Sequence, residues 1–150
     1  MSLIEITDYL QANFAERDII LRPPASEELI RKVEEMYGII LPKDIKQFYK
    51  FTNGFDTYDW LFNLISMEDT IDQKVKYKYN DESLPLAEYM TYAEIWHLEV
   101  NPHHPDKYNI IIFDGKSNII LTHSLAEFIQ RFLDGGLFGE NGLCHWAEQL

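Results

Sequence analysis

The chain has a single cysteine, Cys144, so no disulfide can form within it. Small secreted domains usually depend on several such bridges, and a lone thiol fits a reducing compartment. Long apolar runs are also missing. No window approaches the roughly 18 uninterrupted apolar residues that a membrane-spanning helix requires. The first eight residues, Met1 to Asp8, lack the basic start and apolar run of a secretory signal. The expectation is a soluble, cytoplasmic protein.

Basic residues are scarce. The chain carries 13 Lys and Arg against 25 Asp and Glu, a net charge of −12. The imbalance grows along the chain: residues 1–78 hold 14 acids and 10 bases, residues 79–150 hold 11 acids and 3 bases. Between Asp81 and Asp106 there are six acids and no base. Phosphate backbones and anionic membranes are bound by clustered Lys and Arg, so neither nucleic acid nor membrane is an expected partner. Such a field steers cationic partners toward the protein; it also serves solubility alone.

Reaction signatures are absent too. The histidines are His97, His103, His104, His123 and His145. None falls in a His-Glu-x-x-His pattern, and no cysteine pair accompanies them, so no metal site is expected. Cys144 and His145 are adjacent in sequence, and neighbours rarely meet in the geometry of a nucleophile and its base. Gly135, Gly136, Gly139 and Gly142 follow a helix instead of joining a strand to a helix start, so they form no phosphate loop. Helix termination and a loose tail account for them. No catalytic residue and no cofactor is expected.

What is present is a well-punctuated chain. At 150 residues it reads as one domain over 1–150, long enough to bury roughly 70% of its unfolded surface. Aromatics make up 14% of residues, enough for a bulky core or an aromatic surface patch. Leu3, Ile6, Leu10 and Phe14 space out a first helix over 2–14. Residues 18–22 read as a brief strand or connector before Pro23-Pro24. Ser26 caps a helix whose apolar face is Leu29, Ile30, Val33, Met36 and Tyr37, ended by Gly38. A short helix follows, with Pro42 at its first position, Ile45, Phe48 and Tyr49 on one face, and Asn53-Gly54 as its stop. Trp60 to Leu64 reads as a buried strand, with Trp60 as a core residue. Ser66 opens a helix over 67–79. Residues 83–90 read as a loop entering the sheet. Residues 93–100 alternate, with Trp96, Leu98 and Val100 as the core-facing set. Ile110 to Phe113 and Asn118 to Thr122 form a hairpin about Asp114-Gly115. Ser124 and Glu127 form a capping box before the amphipathic face Leu125, Phe128, Ile129, Phe132 and Leu133. The layout predicts an α+β domain: N-terminal helices and a C-terminal helix packed on one mainly antiparallel sheet.

The Leu-Pro helix ending in Asn-Gly, preceded by a helix with Glu34-Glu35, resembles the SUKH superfamily. The residues that carry the resemblance are Glu34, Leu41, Pro42, Ile45, Phe48, Tyr49, Asn53 and Gly54. Ser124 and Phe128 match the family's closing helix, with Leu125 where an aromatic is common. The likeness spans about residues 26–133. The family's usual glycine-rich strand turn near residue 90 has no obvious counterpart. The superfamily includes a fungal regulator of cell-wall glucan synthesis and bacterial immunity proteins that neutralise secreted toxins. The resemblance implies an α+β fold, structural roles for the matched residues, and a non-enzymatic protein-binding role.

The leading expectation is therefore an immunity protein that binds a basic, often nucleic-acid-targeting toxin domain stoichiometrically. The alternatives are an intracellular regulator or scaffold in cell-wall synthesis or signalling, and a small-ligand binder or enzyme. Candidate partner-binding acids are Asp56, Asp59, Asp81, Glu82, Glu88, Glu94 and Glu99. Asp56 and Asp59 flank the loop of Trp60, and the other five lie in the stretch without a base.

Overall fold

The computed structural model describes residues 1–77 and 83–150. Helix α1 (Leu3–Asn13) starts at Ser2, whose hydroxyl accepts the Glu5 N–H while the Glu5 carboxylate accepts the Ser2 N–H. That reciprocal box satisfies two of the donors a helix start leaves open. Strand β1 (Ile19–Leu21), helix α2 (Glu27–Tyr37) and helix α3 (Lys43–Phe51) follow. Then come β2 (Phe55–Thr57), β3 (Phe62–Leu64), α4 (Met67–Tyr77), β4 (Ser83–Tyr89), β5 (Glu94–Val100), β6 (Tyr108–Phe113), β7 (Asn118–Thr122) and α5 (Leu125–Gly135). A single 3-10 turn, Ala147–Gln149, closes the chain.

The strands form one antiparallel sheet in sequence order from β1 to β7. Helices α2 and α3 fill the connection between β1 and β2, and α4 follows β3. The fold is α+β, with helices from both ends of the chain packed on the sheet. One apolar cluster joins Ile6 and Leu10 of α1, Val33 and Tyr37 of α2, Phe48 of α3, Leu64, Trp96, Leu98 and Phe128. β5 shows the two-residue alternation expected of it. Trp96, Leu98 and Val100 are buried in that cluster, while Ile95, His97 and Glu99 are half-buried on the other side.

The apolar face of the Leu-Pro…Asn-Gly stretch is part of the core. Leu41, Ile45, Phe48 and Tyr49 are buried, as is Phe128 of α5. Glu34 joins the two helices: its carboxylate accepts the Leu41 N–H at 2.7 Å and pairs with Lys46 Nζ at 3.0 Å. Gly38 ends α2 in the left-handed region, at φ 66°. Ser124 caps α5 by accepting the Glu127 N–H. Two details differ from expectation. Pro42 is the N-cap, with extended backbone, and its carbonyl accepts the Lys46 N–H. Asn53 does more than stop α3. Its side chain accepts the Met67 N–H and donates to Glu68, so it caps α4.

Three further expectations are corrected. Residues 83–89 are strand β4, not a loop. Pro85 misled the sequence reading, because proline removes a ladder donor. In this sheet β3 reaches only as far as Leu86, whose carbonyl accepts the Ile65 N–H, and the β4–β5 register shifts between Pro85 and Ala87. Pro85 therefore sits beside a bulge, beyond the β3 ladder. The strand expected from Trp60 begins only at Phe62, and Trp60 is 69% exposed. The tail glycines are not loose: a side chain at Gly135, Gly139 or Gly142 would meet backbone atoms within 2.4 to 2.8 Å. These glycines let the tail fold back on α5, where Leu143 N–H donates to the Gly136 carbonyl and Trp146 stacks on Phe128.

Candidate functional site

Two parts of the surface differ from the rest, and β5 runs between them. The first lies where β2 turns into β3, β4 turns into β5, and α5 ends. Thr57 opens the β2–β3 turn: Trp60 N–H donates to its carbonyl at 2.9 Å. Asp59 accepts from the Thr57 hydroxyl and, at 3.0 Å, from the Leu61 N–H. Those two bonds hold the Asp59 carboxyl below the usual range. The turn is tied to its neighbours. Tyr58 N–H donates to the Asp18 carbonyl at 3.0 Å, and Met90 N–H donates to the Leu61 carbonyl at 2.8 Å.

This neighbourhood holds every non-glycine residue with positive φ among the described residues: Asp18, Trp60, Met90, Thr91 and Tyr92. L-residues pay about 1–2 kcal/mol for that conformation. Three in succession, one of them β-branched, make the β4–β5 turn the most strained segment described. The Glu88 carboxylate helps hold it, accepting the Tyr92 N–H at 2.7 Å. Strain of this kind gathers at functional sites.

The same turns frame a cleft of about 650 Å³. Its floor is aromatic. Phe132 of α5 stacks on Phe62 at 4.4 Å between ring centres, and Tyr89 meets Phe138 edge-on at 5.4 Å. Leu61 and Tyr58 complete the walls, and Asp18, Asp59 and Arg17 line it with charge. The Arg17 guanidinium donates to the Leu133 carbonyl in the last turn of α5. Of its lining, Phe138 (61% exposed), Tyr58 and Leu61 stand out in solvent, and the exposed Trp60 and Met90 are chain neighbours of the lining residues Asp59, Leu61 and Tyr89. Scattered exposed hydrophobes are ordinary, but a contiguous group beside a cleft is the pattern of a contact site.

The second region, at the other end of β5, is a polar groove of about 720 Å³ lined by Glu99, Asn101, His103, Asp106, Asn109 and His123. Asn109 donates to Glu99 at 2.8 Å and lies 2.8 Å from His123 Nδ1. With the Asn109 amide oxygen as its neighbour, Nδ1 of the His123 ring is the donor. Tyr108 links the groove to the fold, donating its hydroxyl to Asp44 and accepting the Leu125 N–H at 2.7 Å. Among the described residues no group of three or more His, Cys, Asp or Glu side chains is placed to hold a metal ion. Cys144 is half-buried; burial, and then the Glu94 charge, push its thiol upward, away from the thiolate a nucleophile needs.

The structure separates the candidate acids. Asp59 lines the aromatic cleft. Glu94 is exposed and pairs in register with Tyr89 of the cleft wall, its carboxyl raised by partial burial. Glu99 belongs to the polar groove. Glu88 is only 6% exposed and turned to the Tyr92 N–H. Asp56 faces inward to Arg22, 2.9 Å away. Asp81 and Glu82 lie outside the described residues. The run of acids without a base is thus divided between two ends of the sheet and the interior. The sequence reading also passed over Arg22. Its guanidinium donates to the carbonyls of Asn53 and Leu64 and to the side chains of Asp56 and Asn63. A lone arginine before Pro23-Pro24 gives no sequence signal of that role.

A seven-stranded antiparallel meander, with α2 tied to α3 through Glu34 and Leu41 and α3 turned into the sheet at Asn53–Gly54, defines an α+β module of the SUKH type. The chain belongs to the SMI1 / KNR4 family (SUKH-1), whose family model matches residues 24–131. That span covers α2 through most of α5 and includes every residue on which the resemblance was built. Comparison with individually curated proteins gives no match.

Proposed function

We propose that the protein is a protein-binding module, and within that class an immunity protein that neutralises a basic toxin domain by stoichiometric binding. Family membership supports protein–protein interaction in general. The observation that carries the finer reading is the exposed aromatic cleft with Asp18 and Asp59 at its edge, on a chain of net charge −12. Aromatic anchors supply most of the energy at protein interfaces, and complementary charge speeds encounter with a cationic partner. A toxin that handles nucleic acid is basic for the same electrostatic reason. Such a protein acts in the cytoplasm, where the toxin would meet its target.

The test is protection and capture. Cells producing a basic toxin domain that this protein captures should survive when the protein is co-produced, and the two should co-purify in a one-to-one complex. The double variant Trp60→Ala, Phe138→Ala should remain folded and weaken that complex by at least about 2 kcal/mol, the scale of an interface hot spot. Full protection by the double variant would remove the cleft from the interface. A regulatory scaffold in cell-wall synthesis or signalling is the second reading; it predicts capture of a cell-envelope or signalling protein and no protection.

A further inference from the structure

We propose that the aromatic cleft is a receptor for an arginine side chain presented by the partner, an inference that rests on the protein-binding reading above. Three features of the cleft favour a planar cation. First, its walls are ring faces and edges: Phe132, Tyr89, Phe138 and Tyr58 all line it. A guanidinium is weakly hydrated and stacks on such surfaces, whereas an ammonium keeps its water. Second, two carboxylates, Asp18 and Asp59, line the same space, and each is suited to accept from the fork of a guanidinium. Third, α5 ends here, with the partial negative charge of its last carbonyls directed to this end.

The molecule already places one guanidinium in this environment: Arg17 lines the cleft and donates to the Leu133 carbonyl of that helix end. Arg17 is the one base in the lining, set against two acids and the helix terminus, so the balance stays negative. The strained turns at Asp18, Trp60 and Met90 to Tyr92 hold the opening in shape before a partner arrives, which lowers the ordering cost of binding. An anionic side chain would meet only Arg17 as a counter-charge. An aliphatic side chain would fill the floor and bring no positive charge to either acid.

The experiment uses the full chain and defined probes. Acetylated, amidated five-residue peptides with a central arginine, lysine, citrulline or glutamate among glycines are titrated while the tryptophan indole N–H signals are followed by NMR. Trp60 sits between two cleft-lining residues, and Trp60→Phe assigns its signal; Trp96 and Trp146 are buried and report on the fold. The arginine peptide should move the Trp60 signal with an affinity about tenfold above citrulline and at least about threefold above lysine. Asp18→Asn with Asp59→Asn should lower arginine affinity by about tenfold with the Trp96 and Trp146 signals in place. Equal binding of citrulline and arginine, tighter binding of glutamate, or arginine binding unchanged in the double variant would each overturn the proposal. These outcomes are separate from the capture test. A cleft that takes the toxin yet ignores the arginine peptide ends only the arginine assignment. A cleft that binds arginine while Trp60→Ala, Phe138→Ala leaves the complex intact ends only the protein-binding reading of that surface.

Discussion

The corner at Asn53–Gly54 and the rim around Trp60 solve the same backbone problem with opposite chemistry. Both turn the chain through positive φ. The corner does so with glycine, Gly54 at φ 81°, and directs its polar groups inward. Arg22, Thr52, Asn53 and Asp56 bond to one another's neighbourhoods, and Thr52 donates to the carbonyls of Arg22 and Gly54. The rim does so with Asp18, Trp60, Met90, Thr91 and Tyr92, and leaves large apolar side chains in solvent. Glycine adopts this conformation without a steric cost; the others do not. A corner built this way serves the fold. A rim built this way keeps strain and exposed aromatics that the fold does not use, and that contrast supports the proposal that the rim meets a partner.

The sharpest way to break the comparison is at the corner. In Gly54→Ala the new methyl would lie 2.1 Å from the Leu64 carbonyl oxygen and 2.6 Å from Arg22 Nη1. Neither the backbone nor a half-buried guanidinium with four acceptors can yield cheaply, and φ is wrong for alanine. The expected loss is about 4 kcal/mol or more, a large part of a typical domain's stability, read by urea unfolding. A loss below about 1 kcal/mol would show that the corner is pliable. Arg22→Ala comes next, at about 3 kcal/mol, because it leaves buried carbonyls and the Asp56 carboxylate without their donor. Burial already raises the Asp56 carboxyl, and Arg22 opposes that rise. A carboxyl raised in the folded state binds its proton more tightly there than in the unfolded chain, so it costs stability above its folded value. Removing Arg22 enlarges that cost. The Arg22→Ala deficit should therefore be greatest near neutral pH and shrink as pH falls toward the usual carboxyl value of 3.8.

This contrast also explains what could be read from the sequence. The corner was legible because its residue types have local meaning: Ser26 as a cap, Gly38 and Gly54 as left-handed positions, Leu41, Ile45 and Phe48 as a helical stripe. So was β5, whose alternation is a two-residue rhythm. Arg22 was not, because its four acceptors lie in two stretches far along the chain, Asn53 with Asp56 and Asn63 with Leu64, and no spacing announces them. β4 was hidden by Pro85, which is accommodated where the β4–β5 register shifts. Trp60 was misread because aromatic content normally signals burial. The cleft required three loops distant in sequence to converge, and only the sheet's meander order brings them together. The acids were visible as a run, but Glu88 is covered where it bonds the β4–β5 turn, and Glu94 and Glu99 lie toward opposite ends of β5.

At the rim the expected effects are smaller and of the other sign. Thr91→Gly removes a β-branched side chain from the left-handed region in the middle of the strained turn. Relief of about 1–2 kcal/mol is offset by the greater freedom of glycine in the unfolded chain, so a net gain of about 0.5–1 kcal/mol is expected in urea unfolding. If rigidity of the rim serves binding, the same variant should bind its partner more weakly while being more stable. A variant both more stable and equally competent would show that the strain has no part in recognition.

The smallest expected effect on stability is the most telling one. Trp60→Ala removes the largest side chain type from a site that is 69% exposed, and little apolar surface returns to water. Its unfolding free energy should stay within about 0.5 kcal/mol of the parent. A buried tryptophan such as Trp96, 1% exposed, should cost about 3–5 kcal/mol for the same truncation. The pair therefore separates packing from presentation within one residue type. A loss above about 1.5 kcal/mol at Trp60 would mean that its ring is held against the domain, and the rim would then be an extension of the core instead of a surface kept open for a partner.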